Sequence, residues 1–205
     1  MSTIANYLNS RRYEISKYAE VVEIILISLI VLLTPIVVPQ LLNIVFGETS
    51  LVATNSQYVV GSLVNTGLIV AAINIKGWKK IVSIITLPSI SAMGSGLIFK
   101  SASIYTVYMI PAIWLGNFAL VYLYKYLYVN KNINYILSSV LAIIAKVAII
   151  FVGFNLEVLT NIIPQGTKVV EMLKVAMGMN QLITATVGCI IAFGIVKLVY
   201  KNKNA

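Results

Sequence analysis

Apolar residues in this chain come in long unbroken runs, not in the short alternations of a soluble sheet or surface helix. A helix needs about 20 mostly apolar residues to cross the hydrocarbon core of a bilayer. Six runs meet that length: residues 21–46, 57–75, 80–99, 103–128, 135–156 and 180–200. They predict an all-α integral membrane protein, a six-transmembrane-helix bundle over residues 21–200. Pro35 and Pro39 fall inside the first run and predict a kink or break there. That run is too long for a cleaved leader, and no small-x-small cleavage site follows it.

The segments outside the runs divide into two kinds. Residues 1–20 place Ile4, Leu8, Ile15 and Ala19 near one face, with Arg11, Arg12 and Lys17 among them. This predicts a short interfacial helix on the cytoplasmic surface. Residues 201–205 form a basic tail. Residues 47–56, GETSLVATNS, carry no Lys or Arg, and 157–179 are long for a connector in so small a protein. Pro164, Gln165 and Gly166 mark a turn in the latter. The stretch TKVVEMLKVAM (167–177) predicts a short amphipathic surface helix.

Composition agrees with lipid as the solvent. Of 205 residues, 60% are hydrophobic and 10% charged, where a soluble domain has about 25% charged. The formal charge is +9, but its pattern is topological and not that of a nucleic-acid-binding surface. With a cytoplasmic N-terminus, Arg11, Arg12, Lys17, Lys76, Lys79, Lys80, Lys125, Lys131, Lys197, Lys201 and Lys203 lie inside. Lys100, Lys168 and Lys174 lie outside. That bias stays in phase with six crossings and puts both termini in the cytoplasm.

The chain has no His and no Asp. A His-based triad, a His-liganded metal site and an Asp pair are therefore excluded. Cys189 is the lone cysteine, in an apolar run, where a thiol is a small packing residue. No Gly-rich loop ending in Lys-Ser/Thr is present to hold ATP phosphates. The composition points away from an enzyme and calls for no cofactor or metal. An intramembrane enzyme would have to use Glu157 or Glu171 with Lys146.

Lys146 stands alone in LAIIAKVAII (141–150), near the middle of the fifth run. A lysine at a span centre costs about 2.5–3.5 kcal/mol on insertion scales. Two readings follow. Either it turns inward to backbone carbonyls or stays neutral, or it faces a cavity and meets the anion of a ligand. Glu20 and Glu23 begin the first run, and Glu157 lies eleven residues on, about 16 Å along the helix. No carboxylate is obviously placed to neutralise it.

Further polar groups gather in the outer halves of the runs. Gln57, Gly61 and Asn65 recur at i, i+4 and i+8, hence on one face. Gln181, Thr184 and Gly188 share a stripe in the sixth run. Tyr105, Tyr108, Trp114 and Asn117 lie in the fourth. Interhelical hydrogen bonding explains any one of them, whereas the set with Lys146 describes a small-molecule pocket. The assignment is Lys146 for the charge contact and Asn65 and Gln181 for hydrogen bonds. Trp114 or Tyr108 forms the wall, with Gln57, Thr184 and Asn117 as further lining. Small residues predict close helix contacts: Ser91, Ala92, Ser95 and Gly96; Ser138, Ala142 and Ala145; Thr184, Gly188 and Ala192.

The stretches VGSLVNTGLIVAAINIKGWKK (59–80), LPSISAMGSGLIF (87–99), YMIPAIWLGNFALVY (108–122) and MGMNQLITATVG (177–188) resemble the substrate-binding S components of energy-coupling factor (ECF) transporters. The resemblance covers about residues 57–190. It implies a plasma-membrane subunit of a prokaryote that captures a vitamin or related micronutrient from outside. It also implies delivery through a partner module of one transmembrane coupling protein and two ATPases. In that family the first and fifth connectors cover the ligand, which here are 47–56 and 157–171. The family also uses small residues, often Ala-xxx-Ala, on the first span, whereas EIILISLIVLLTPIVV (23–38) has no Ala. A stand-alone channel or facilitator is the alternative, and it requires a continuous polar path between the two faces.

Overall fold

The structure, a computed structural model, describes residues 3–98, 103–163 and 167–200. Lys100, the turn at Pro164, Gln165 and Gly166, and the tail 201–205 lie outside the described residues. Every regular element among the described residues is helical. The helices are α1 (Thr3–Leu8), α2 (Lys17–Phe46), α3 (Leu51–Thr54), α4 (Ser56–Asn74), α5 (Trp78–Ser95), α6 (Ser103–Thr106), α7 (Ile110–Leu123), α8 (Tyr135–Leu159), α9 (Lys168–Met177) and α10 (Met179–Tyr200). A π-helical segment, Tyr124–Asn130, continues α7.

Four helical stretches are long and apolar enough to cross a membrane: Lys17–Phe46, Ser56–Asn74, Tyr135–Leu159 and the α9–α10 stretch Lys168–Val199. This is the pattern of a multi-pass membrane protein. The third and fourth apolar runs give shorter α-helices. Trp78–Ser95 opens with Lys79 and Lys80. The fourth run breaks after α6, and its α-helix proper has 14 residues before the π segment.

The bundle is apolar outside and partly polar inside. Large apolar side chains are exposed along α2 and α8, including Leu26, Ile30, Ile44, Ile136, Ile144 and Val152. Buried within are Asn65, Thr66, Asn74, Asn117, Lys125, Lys146 and Thr184. A soluble protein rarely exposes large contiguous apolar patches, whereas a bilayer solvates such a surface.

α4 is the central helix, buried along most of its length, because VNTGLIVAAIN carries no charge and is apolar nearly all round. It packs most extensively on α10 and α2, while α5 packs on α2 and α7 on α8. Missing side chains allow the close approaches. A methyl group on Gly188 of α10 would lie 2.8 Å from the Ser62 carbonyl oxygen and 3.0 Å from the Thr66 nitrogen of α4. One on Gly116 of α7 would lie 2.6 Å from Ile150 and 3.0 Å from the Lys146 carbonyl oxygen of α8. The small residues read from the sequence are thus spent largely within the chain.

α2 runs through Pro35 and Pro39 as one continuous helix, so of the expected kink or break, no break occurs. Pro39 has no N–H for the Pro35 carbonyl, and Ser95 Oγ of α5 donates to that carbonyl at 3.4 Å. One turn away, Ser91 Oγ donates to the Leu32 carbonyl. Serines on a neighbouring helix thus supply donors along the proline-containing stretch of α2.

The N-terminal segment departs from the expected surface helix. Before α2 begins at Lys17, helix covers Thr3–Leu8, and the chain then folds in under one end of the bundle, burying Leu8 and Ile15. Gly77, at φ +101°, turns α4 into α5 and donates its N–H to the Leu8 carbonyl at 3.0 Å. The Arg12 N–H reaches the Ile73 carbonyl at 2.8 Å. Glu20 gathers Arg11 at 3.2 Å, Lys80 at 3.0 Å and the Lys76 N–H at 3.3 Å. Lys125, counted from sequence as a connector charge, is fully buried in the π segment. Its ammonium donates to the Ser10 and Ile75 carbonyls, both at 2.7 Å.

The Gly188 contact makes a stability test. Gly188→Ala forces backbone of two helices apart and should cost about 1–3 kcal/mol in detergent unfolding. Gly194→Ala on the same helix meets open space and should be neutral or gain up to about 1 kcal/mol from helix propensity.

Candidate ligand-binding cavity

The polar residues of α4, α7, α8 and α10 meet at the end of the bundle opposite the Glu20–Lys125 cluster. Between them is a cavity of about 90 Å³. Its polar lining is Gln57 and Asn65 from α4, Ser89 from α5, Thr106 from α6, Asn117 from α7, Lys146 from α8 and Gln181 from α10. The apolar lining includes Pro35, Val64, Pro88, Met93, Ile110 and Ile113. Pro35 and Pro88, the helix-interior prolines of α2 and α5, both face it.

Lys146 is 2% exposed, held in mid-helix on the side of α8 that faces α4. Its ammonium donates to Asn65 Oδ1 at 2.5 Å. Among the described residues no glutamate forms an ion pair with it. An ammonium carries three N–H donors, so one amide oxygen leaves most of its capacity unused. The cost of burying the charge is correspondingly uncompensated.

Asn65 is itself fixed. Its Nδ2 donates to Thr184 Oγ1 at 3.3 Å, and Thr184 donates on to the Asn180 carbonyl at 2.7 Å. Asn180 Nδ2 donates to Gln57 Oε1 at 2.9 Å, while Gln181 Nε2 donates to the Ala176 carbonyl at 3.3 Å. This network ties α8 to α4 and α10. The short Gly188 and Gly61 contacts bring α10 close enough for it: a methyl on Gly61 would meet Thr184 at 2.8 Å.

Of the residues read from sequence, Lys146, Asn65, Gln57, Gln181 and Asn117 line one cavity. Thr184 stands behind Asn65 and holds it. Trp114 and Tyr108 are elsewhere: Tyr108 is half exposed, and Trp114, with its buried indole N–H unpartnered, is not part of the lining. Tyr108 sits in the turn before α7, and Trp114 lies one helical turn before Asn117 without bordering the cavity. The sequence reading did not single out Ser89, Thr106 or the two cavity-facing prolines. Pro88-Ser89 within an apolar run was the available signal, since a helix-interior proline frees backbone polar groups beside a hydroxyl.

Two further polar atoms matter. Ser89 Oγ and Asn117 Oδ1 are buried without a hydrogen-bond partner among the described residues. Such atoms are uncommon in folded proteins and call for an explanation in a water, an ion or a ligand. The connectors lie toward this end. α9 lays Leu173, Ala176 and Met177 inward; Leu173 and Met177 join Met109, Ile150, Phe154 and Ile163 in a small core next to the cavity wall. The helix α3 begins on a Ser50 cap and leaves Leu51 exposed.

Comparison of the chain with models of known protein families, with characterised proteins and with solved structures finds no match.

The Lys146–Asn65 contact can be tested as a pair. Asn65→Leu removes the acceptor and should destabilise the fold by about 2–3 kcal/mol. Lys146→Met should be neutral or stabilising, because a buried charge is replaced by an apolar chain of similar length. The double variant should recover most of the Asn65→Leu loss. Thermal unfolding in detergent reads all three.

Proposed function

We propose that this protein is the membrane-embedded solute-binding subunit of an uptake transporter of the ECF type. It captures a small anionic, vitamin-like molecule from the outer side and delivers it with the help of a partner ATPase module. The observation that carries this reading is a buried ammonium, Lys146, lining a cavity with a single neutral amide as its partner. An arriving carboxylate or phosphate supplies the missing countercharge in a setting where water competes weakly. Asn65 orients the amine, and Gln57, Gln181 and Asn117 border the same space. The segments 47–56 and 157–171 act as the cover.

The reading includes six crossings with both termini cytoplasmic. α5 and the continuous α7–π stretch supply the two additional spans, and the basic residues of 76–80 and 125–131 mark the inner side. The Glu20–Lys125 cluster then faces the cytoplasm and the cavity faces out. Energy comes from partners: an ECF transmembrane coupling protein and ATPase subunits. With no Ala in residues 23–38 of α2, the docking surface for that module falls on α5 or α10.

A stand-alone channel or facilitator is less well supported. Below the cavity the path runs into Leu68, Ile69, Ile73 and Leu120, all fully buried. A channel requires polar groups or open space there.

Purification with native partners separates the readings. Co-isolation with an ATPase-containing complex is expected; a lone conducting oligomer would overturn the subunit reading. Native mass spectrometry should find a retained small acid on the wild-type chain. Lys146→Met, folded by its melting curve, should lose roughly 100-fold or more in affinity for that acid, about 3 kcal/mol for a charge-assisted contact. Unchanged affinity would remove Lys146 from the site.

A further inference from the structure

The cavity's unused hydrogen-bonding groups describe more than an anion. Lys146 offers N–H donors. Asn117 Oδ1, in a side chain 3% exposed, can only accept, and it has no partner among the described residues. Ser89, 7% exposed and also unpartnered through its hydroxyl, can do either. Gln57 Oε1 and Gln181 Nε2 are already engaged within the protein. Gly116 brings α7 against the Lys146 backbone, and Asn117, the next residue, lines the same cavity as the ammonium. No aromatic ring lines the cavity among the described residues; its walls are proline, aliphatic and methionine side chains.

We propose that the cavity selects a compact aliphatic acid that also carries a hydrogen-bond donor, an alcohol O–H or an amide N–H, apart from its carboxylate. This rests on reading the cavity as the ligand site. The carboxylate meets Lys146, and the donor meets Asn117 Oδ1, with Ser89 beside it. A ligand lacking the donor leaves a buried oxygen unsatisfied, and that omission is what discriminates. A flat aromatic acid finds no ring to stack on among the described lining residues.

The test uses the full chain in lipid nanodiscs and isothermal titration with four acids: 3-hydroxybutyrate, N-acetyl-β-alanine, butyrate and benzoate. The two donor-bearing acids should bind at least about tenfold more tightly than butyrate, the equivalent of one buried group left unpaired. Asn117→Leu should abolish the preference, so that the donor-bearing acids and butyrate bind alike. Ser89→Ala removes a single oxygen, so it keeps the test intact if Asn117→Leu misfolds; it should narrow the preference for the donor-bearing acids over butyrate. Equal binding of 3-hydroxybutyrate and butyrate, a preference indifferent to both substitutions, or tightest binding of benzoate would overturn the proposal. In those cases, loss of all acids in Lys146→Met would leave the anion site standing. If no acid binds, or Lys146→Met binds them as before, the ligand-site reading falls as well.

Discussion

An ammonium group held in the middle of an apolar bundle constrains everything around it. Among the described residues no carboxylate pairs with Lys146, and its partner is a neutral acceptor, Asn65 Oδ1. That acceptor must be held still, and Thr184 and Asn180 of α10 hold it. The helices must then approach closely, which the bare backbones at Gly61, Gly116 and Gly188 allow. Helix packing and the chemistry of the cavity are therefore parts of one arrangement. The glycines set the helix spacing, the spacing makes the hydrogen-bond network, and the network orients the one charge in the cavity.

The opposite end of the bundle handles its buried charge differently. Lys125 is as deeply buried as Lys146, but it is given two backbone carbonyls, from Ser10 and Ile75. Its neighbour Glu20 collects Arg11, Lys80 and a backbone N–H. Here the chain supplies its own acceptors and carboxylate, and the N-terminal segment is pinned beneath α4. A buried cation with more partners is held in place, whereas an under-partnered one remains available to a ligand. The contrast between the two lysines is what separates a structural cation from a candidate functional one.

Prolines and serines play a related part. α2 keeps its helix through Pro35 and Pro39 because α5 supplies hydroxyl donors to its carbonyls. Pro35 and Pro88 then stand on the cavity wall. The α2–α5 pair is tied by side chain to backbone contacts and not by knob-like packing alone. This gives the cavity one wall of proline-containing helices, facing α4, α8 and α10.

Some of this was legible in one dimension. The helical class and the membrane solvent follow from long apolar runs with charges confined to their edges, since backbone hydrogen bonds in lipid must close within a helix. Gln57 and Asn65 share a face by periodicity alone, and the isolation of Lys146 needs only the residues beside it. Other features depend on where helices cross. Lys125 reads as a loop charge until the π segment turns it inward to Ser10, more than a hundred residues earlier. The segment after Leu8 reads as a surface helix until Gly77 and Ile73 offer it hydrogen-bond partners. Trp114 and Asn117 read as companions three residues apart, yet only Asn117 borders the cavity. Local pattern determines which residues lie in lipid-length helices; which of their polar groups meet is a long-range matter of helix crossing and small-residue contact, and only the tertiary structure decides it.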